Sequence, residues 1–568
     1  MREQLRRILE SREFKRARRM SRFLEVVVEE ALAGRGDSLK EHFLGTAVFD
    51  RPASFDPAGD PLVRVEARRL RSKLRDYYAS TGAQDALRIG LPTGQYAPEF
   101  STAGDTAPAS EIKAIAVLPL TDLSATPDGA LFSDGLTWEI THRLTRIPGL
   151  RVIAWNSANQ FREAVPDLAG IRARLPVGYL LTGSVRRNGE RVRIVAQLID
   201  TASGAYLWSE TYDRQLDAVV AVQDEIAHAV STGLHLQLLG PTHTRPATGY
   251  CPESFAAYLR GRAEWGRRTA EGFRLSRDHF CRAIELDADF ALGHAGLADA
   301  YALLADYGLM SPAEAMPPAR QAATRALELH PGLGEAHSTL GLITAIYDWD
   351  WGGAADHYQR ALAANPGYAT AHHWLACDYY APLGRFREAR ESATMAVQLD
   401  PLSMIIQNCP AYLLMLEGRL EESLALDQQM LTTYPKFPKL YTALGRTLIE
   451  LGRPKEAIEQ IERGVAGSGR IPSLLGVLGQ ACAQSGDRMR AEAILRELRE
   501  LARTQYVPTI PCAMVHLGLG EPDRALDWLE EGGRRRETSL ALLGVHPAYA
   551  SLRGTARFGK LLELIGLA

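Results

Sequence analysis

Five glycines constrain this chain more than any other feature: Gly384, Gly418, Gly452, Gly486 and Gly520 stand 34 residues apart. Five residues after each comes a small side chain, namely Ala389, Ser423, Ala457, Ala491 and Ala525. Upstream, Pro331, Pro366, Pro401 and Pro435 recur at intervals of 35, 35 and 34. A fixed period of this length means one supersecondary unit stacked on copies of itself. Glycine ends a first helix with a positive φ that it adopts without strain. The small residue lets a second helix pack close to the first. Proline opens the next unit where no helical N–H is lost.

One unit reads AHHWLACDYYAPLGRFREARESATMAVQLDP, with Trp374, Leu375, Tyr379, Gly384, Ala389, Ala396 and Pro401 in register; the unit before it has Leu340, Gly341, Tyr358, Ala361 and Pro366. The pattern resembles the tetratricopeptide repeat family over half of the chain. The resemblance implies an all-α solenoid of about eight units over 250–535, followed by a capping helix in 536–568 with Phe558, Leu561, Leu562 and Ile565 inward. It also implies a concave groove that holds a peptide or protein segment. First helices line such a groove, which here would carry His372, His373, Asp378 and Tyr380, then Gln407 and Asn408, then Arg446, then Gln480 and Gln484. Of these, His373, Tyr380, Gln407, Asn408, Arg446 and Gln480 are the expected partner contacts. The lining is mixed and mostly uncharged, which suits an extended peptide better than a nucleic acid. The alternative is that this surface contacts the protein's own other domains.

The first hundred residues differ in charge. They hold 19 Lys and Arg against 15 Asp and Glu, while the remainder holds 46 against 53. Periodicity predicts amphipathic helices over 21–33 and 38–48, a Pro/Gly/Asp-rich loop over 50–61, and a third helix from Leu62 to about Tyr78. On that helix Val63, Ala67, Leu70, Leu74 and Tyr77/Tyr78 share one face. At 100° per residue, Arg64, Arg68, Arg71 and Arg75 fall together within about 60° on the outer side, with Arg69 and Lys73 on the other flank. An anchored helix with a row of arginines suits the major groove of double-stranded DNA. Two short β-like runs around Pro92-Thr93-Gly94 follow. Helix then hairpin, with Leu70, Arg71, Lys73 and Leu74 and then Gly94 and Tyr96, resembles the winged-helix effector domain of response regulators. The resemblance implies a mainly α fold with a β wing over 1–100 that binds DNA. Arg64 and Arg68 are expected at base edges, and Arg71, Lys73, Arg75 and the basic segment from Lys15 to Arg22 at phosphates. No receiver domain precedes it, and the usual sheet before the first helix is not evident.

A polar linker (101–111) leads into 112–240. Strands are expected at 114–120, at 150–155 and three times within 177–213, the last three joined by Asn-Gly and Ser-Gly turns. Helices are expected at 132–147, with Ser133 or Asp134 near its cap, and at 218–234. Strands with interleaved helices make a small α/β domain. Its Phe-Ser-Asp-Gly-Leu-Thr, Leu-Thr-Gly-Ser-Val and Leu-Trp-x-Glu-x-Tyr-Asp resemble the TolB-like amino-terminal domain family, which occurs beside tetratricopeptide arrays and class III nucleotide cyclases. The resemblance implies sensing or assembly and carries no catalytic residues. Asp134, Glu139, Glu210 and Asp213 lack paired spacing and read as caps and surface charges.

The remaining signals exclude more than they assign. Six cysteines without a Cys-x-x-Cys pair read as buried thiols of a reducing compartment. The charged amino terminus is no secretory signal, and no run of 18 apolar residues could span a membrane, so the cytoplasm is expected. Gly554 to Lys560 mimics a phosphate loop, but Leu561 stands where a hydroxyl is needed and no strand precedes it. The His372-His373 pair and the cysteines lack ligand spacing, so no metal, cofactor or catalytic set is expected. The expectation is a one-component DNA-binding regulator with a partner-binding repeat array. A scaffold without DNA binding is the alternative.

Overall fold

The computed structural model describes the chain except for residues 13, 16, 34, 36–38, 50, 53–54, 56–61, 80, 83–84, 86, 92–95, 103–112, 125–128, 146, 148, 163–167, 216–218 and 235–250. It divides into two compact units, Met1–Ile112 and Lys113–Ala568.

The first unit contains α1 (Arg2–Glu10), α2 (Arg18–Leu32), α3 (Glu41–Phe49) and α4 (Leu62–Ala79), followed by an antiparallel pair, β1 (Leu87–Gly90) and β2 (Glu99–Thr102). The expected apolar face of α4 is buried: Val63, Ala67, Leu70 and Tyr77 are fully enclosed and Leu74 nearly so. They meet Phe23, Leu24 and Val27 of α2, Leu44 of α3 and Ile89 of β1 in one core. The charged opening helix α1 was not expected. It enters this core through Leu5 and Ile8.

The second unit begins with β3 (Lys113–Val117), β4 (Thr121–Asp122), α5 (Gly129–Leu144), β5 (Leu150–Val152), α6 (Trp155–Ala158), α7 (Leu168–Arg174), β6 (Tyr179–Asn188), β7 (Arg191–Asp200), β8 (Tyr206–Gln215) and α8 (Val219–Gly233). The sheet runs β5-β3-β6-β7-β8, with β4 also on β6. It is parallel through β6 and antiparallel beyond. Long β hairpins follow from the two turns, where Gly189 and Gly204 take positive φ of 59° and 72°. Along β7 the alternation Val192, Ile194, Ala196, Leu198 faces the core against α5 and α8, while Arg191 and Arg193 face out. Helix α5 starts at Gly129, so Ser133 lies inside it rather than at its cap; its hydroxyl donates to the Leu120 carbonyl.

Eight helix pairs follow: α9 (Pro252–Gly266) and α10 (Ala270–Leu286); α11 (Ala291–Asp306) and α12 (Pro312–Leu329); α13 (Gly334–Ile343) and α14 (Trp351–Ala364); α15 (Ala369–Trp374) and α16 (Phe386–Leu399); α17 (Met404–Leu416) and α18 (Leu420–Thr433); α19 (Pro438–Glu450) and α20 (Pro454–Ser468); α21 (Pro472–Gln484) and α22 (Arg488–Leu501); α23 (Ile510–Gly518) and α24 (Pro522–Arg534). The five periodic glycines take φ between 68° and 92°, and an added Cβ would meet nothing within 4 Å. Backbone conformation, not space, therefore requires glycine there. Ala389, Ser423, Ala457, Ala491 and Ala525 are all fully buried between paired helices. The prolines differ from expectation. Pro331, Pro366, Pro401 and Pro435 sit in the turns that leave the preceding second helices, and other prolines, Pro438 and Pro472 among them, start the next helices. Helices α13 and α15 each continue through one wider π-type turn, Thr344–Asp348 and Leu375–Tyr380.

The C-terminal stretch is not a simple end cap. Residues Thr538–Leu542 and Pro547–Leu552 form two 3-10 turns before α25 (Ala556–Leu564). The final helix does pack Phe558, Leu561 and Ile565 inward, with Leu562 half-buried. The stretch ahead of it runs inside the superhelix. Ala541 packs with Trp265, Ala302 and Ile343 of the first three pairs, and Leu542 and Val545 pack on Ala376, Cys409 and Leu413 of the fourth and fifth. Trp351 Nε1 donates to the Ile565 carbonyl at 2.9 Å, and Arg536 to that of Tyr347 at 3.2 Å. Lys439 reaches across to Asp306 at 3.8 Å.

Candidate functional site

On α4, the side chains of Arg64, Arg68 and Arg75 lie outside the described residues. Arg69 pairs with Glu66 at 2.7 Å. Arg71 is half-buried and its Nε donates to the Leu91 carbonyl at 2.9 Å, tying the helix to the hairpin. Lys73 sits 5.8 Å from the Phe14 ring centroid. Beneath the helix, Asp85 accepts from Gln4, from the Tyr77 hydroxyl (each 2.6 Å) and from Arg7 (3.0 Å). Burial works against its charge, but these three donors hold its carboxyl below the usual range. That hub had no sequence signal, because Gln4 and Arg7 stand 81 and 78 residues from Asp85.

The expected groove is largely packed rather than open. Gln407 donates to the Pro401 carbonyl at 2.7 Å, and the same six-residue bond recurs as His294 to Ala288 (2.9 Å), His372 to Pro366 (2.9 Å) and Tyr441 to Pro435 (2.8 Å). Gln407 and His372 therefore close their own repeat's turn. Asn408 is buried and donates to Asp427 at 3.3 Å. Gln480 and His373 are buried as well. Tyr380 is half-buried under Arg385, whose guanidinium is 4.6 Å from its ring centroid. Arg446 is half-buried with its Nε unpartnered. The physical reason is local for Gln407 and His372, tied to their own turns, and for Asn408, tied to the second helix of its own pair; the C-terminal stretch covers other inner positions, Ala376, Cys409 and Leu413 among them.

The α/β domain docks on the repeats through backbone and side chain. Ala154 N–H donates to the Leu399 carbonyl at 2.7 Å, Ser157 donates to Asp400, and Leu402 N–H donates to the Ser157 hydroxyl at 2.9 Å. Trp138 stacks on His142 (5.0 Å) and meets Phe255 and Tyr258 edge-on. A cavity of about 90 Å³ remains at this junction, lined by Trp138, His142, Arg262, Glu335, Tyr368 and Asp400. Burial pushes the Asp400 carboxyl up to about 6. Arg262 pairs with the buried Asp299 at 2.8 Å, and Thr339 donates to the same carboxylate. In the α/β domain itself, Asp134 pairs with Arg162 and Asp213 with Arg191 and Arg193, as structural charges do.

The cysteines correct an expectation. Cys377 and Cys409 are joined as a disulfide across neighbouring first helices, with Cα atoms 6.9 Å apart. Their 32-residue separation is close to one repeat, which sets them at the same level of adjacent units. His373, one helical turn before Cys377, is buried beside the pair, with its Nδ1 3.8 Å from Cys377 Sγ. The His-x-x-x-Cys spacing plus a repeat-length step was the overlooked signal. Cys482 and Cys512 are buried thiols as expected, and Cys251 and Cys281 are only half-buried. Among the described residues no helix is long and apolar enough to cross a membrane.

Comparison with known proteins names the helical region. Tetratricopeptide repeat models match residues 438–466 and 507–531. The helix pairs are tetratricopeptide repeats. Over 185 residues the chain is 37% identical to a Rhizobium meliloti (strain 1021) protein named "Putative adenylate cyclase 3", covering 32% of each chain. It thus spans about a third of that relative's length. Among solved structures, a tetratricopeptide repeat protein from Parabacteroides merdae matches at 15% identity and a TM-score of 0.33, over 46% of this chain and 99% of that one. Yeast Tom70 matches at 13% and 0.36, over 95% and 98%.

Proposed function

We propose that this chain is a non-catalytic interaction scaffold of a signalling assembly, with its tetratricopeptide repeats as the partner surface and its TolB-like α/β domain as a fixed sensing or connecting element. The observation that carries this reading is the docking of the α/β domain onto the repeats by backbone hydrogen bonds at Leu399 and Leu402, which joins two interaction modules into one body. The cyclase named in the relative stands outside this reading, because the shared stretch is a third of that protein. Cross-linking of the full chain to captured partners tests it. Cross-links are expected on residues 250–535; links confined to residues 1–112 would reject the repeats as the platform.

A second reading, supported by α4 with its buried stripe and following β1–β2 pair, is that the first unit binds double-stranded DNA in the cytoplasm and makes the chain a transcriptional regulator. Arg64, Arg68 and Arg75 would carry base and phosphate contacts, and Arg69 and Lys73 would flank them. Arg71 would hold the hairpin against the helix. Fluorescence anisotropy of the full chain with duplex DNA, at low and high salt, tests it. A chain that ignores duplex DNA at low salt does not bind it this way.

A further inference from the structure

We propose that the interior of the superhelix, between Arg268, Tyr307 and Lys439, binds a small phosphoryl anion. Arg268 is 7% exposed, and among the described residues no carboxylate pairs with it. Its guanidinium lies 3.6 Å from the centroid of the Trp265 ring. A buried cation without a counter-charge is expensive to keep, and an aromatic face offsets that only in part. The backbone adds to the oddity. Arg268 takes φ of 56°, a left-handed conformation that a residue with a side chain keeps only where its surroundings enforce it.

Two polar groups beside it lack a partner. The Trp265 indole N–H and the Tyr307 hydroxyl are buried and unpartnered. Lys439 Nζ stands 3.6 Å from the Tyr307 ring centroid, and its side chain is 40% exposed, so solvent enters here. His373 borders the same space. Burial pushes it down to about 3, helped by the charges of Arg268 and Lys439, so it contributes no counter-charge and no extra cation. Acids flank the space without pairing Arg268: Asp306 touches Lys439 at 3.8 Å, Asp378 lies within electrostatic reach of Lys439, and Asp299, already paired with Arg262, and Asp400 lie within electrostatic reach of Arg268. Three further observations extend the donor excess along the interior: Arg446 Nε, His546 Nε2 and Trp349 Nε1 are also buried and unpartnered.

Multiplicity favours phosphoryl over carboxylate. A guanidinium fork, an ammonium, a phenol and an indole N–H offer more donors than two carboxylate oxygens accept, and they suit the several oxygens of a phosphate. This inference is independent of DNA binding and of any partner on the repeats.

The test uses the full chain in phosphate-free buffer, with inorganic phosphate and pyrophosphate as probes, citrate as the carboxylate control, and chloride at matched ionic strength. Saturable thermal stabilisation and a change in tryptophan emission are expected with phosphate or pyrophosphate. Arg268→Met is expected to weaken binding by roughly tenfold to a hundredfold, as loss of a charged hydrogen-bonding group does. Without ligand, the same variant is expected to melt no lower than the parent, because it removes an uncompensated charge. Tyr307→Phe is expected to weaken binding by less and leave the unliganded melt unchanged. No saturable response beyond chloride would overturn the proposal, as would an unchanged affinity in both variants. Arg268→Met that melts lower while binding phosphate normally would show a purely structural arginine. Equal stabilisation by citrate would overturn the phosphoryl assignment.

Discussion

The outer row of α4 and the outside of the repeats place their arginines differently along the sequence. On α4 the row Arg64, Arg68, Arg71, Arg75 shares a sector that contains neither of the helix's acids, Glu66 and Asp76. On the outside of the repeats, arginines meet a glutamate three residues on: Arg385 with Glu388, Arg419 with Glu422, Arg453 with Glu456. Those neutralised pairs offer little to a polyanion. Within the array, the buried Arg268 has no carboxylate partner among the described residues, and the half-buried Arg446 leaves its Nε unpartnered. The difference teaches that counting charges locates nothing until each charge is assigned its partner.

The contrast can be broken most forcefully at the inserted C-terminal stretch. Leu543, fully buried with Leu540 and Tyr549, should cost about 2–5 kcal/mol on substitution by alanine. Denaturant unfolding should show the loss in the repeat transition and leave that of the first unit in place. A loss below about 1 kcal/mol would mean the stretch lies loosely over its neighbours. Next in size is the DNA reading. Arg68→Ala should cost roughly 1–3 kcal/mol in DNA affinity and blur sequence preference, with affinity falling steeply as salt rises. Arg71→Ala should lower both affinity and stability, because its Nε holds the Leu91 carbonyl. Equal, sequence-independent effects of the two changes would erase the distinction between reading and clamping.

A smaller effect sharpens the view of the interior. Burial pushes the Asp427 carboxyl up to about 7, against hydrogen bonds from Thr447 and Asn408. An acid whose folded pKa lies above its unfolded value keeps its proton in the fold. Its contribution is intact at low pH and is lost as pH rises from about 4 through 7. Asp427→Asn keeps the neutral form, so its melting temperature relative to the parent should climb between pH 5 and pH 8. A difference that stays flat with pH would contradict the buried acid. Smallest of all is the outer surface, where Glu456→Gln should leave the melting temperature within error, since exposed pairs contribute little.

Much of the fold was legible because tetratricopeptide geometry is written in residues with single physical roles. A glycine with positive φ and an alanine in a helix crossing admit few substitutes, and Gly452 with Ala457 marks a repeat unaided. The buried stripe of α4 and the turns at Gly189 and Gly204 were legible for the same reason. The groove was not. His373, Gln407, Asn408 and Gln480 stand at inner-helix positions, but Gln407 bonds its own turn and Asn408 the second helix of its own pair, partners that the groove pattern does not report. The stretch SLALLGVHPAYASL held an unused hint: Leu540, Leu542, Leu543, Val545, Tyr549 and Leu552 are too apolar for a polar terminal cap. The Cys377–Cys409 bridge needed one further step, the comparison of cysteine spacing with repeat length.

Solenoids ordinarily gain and lose repeats freely, because each unit touches only its neighbours and stability sums along one dimension. Here Ala541 rests on Trp265, and Trp351 holds the Ile565 carbonyl. Inserting or deleting one 34-residue unit would move the end of the chain out of register with the helices it packs on. The number of repeats is therefore locked, and lineages of this protein should vary in the outer loops and second helices while the count of eight persists. The array completes its core only when residues 538–565 are in place, so a chain cut ahead of Thr538 is left unfinished rather than becoming a shorter solenoid.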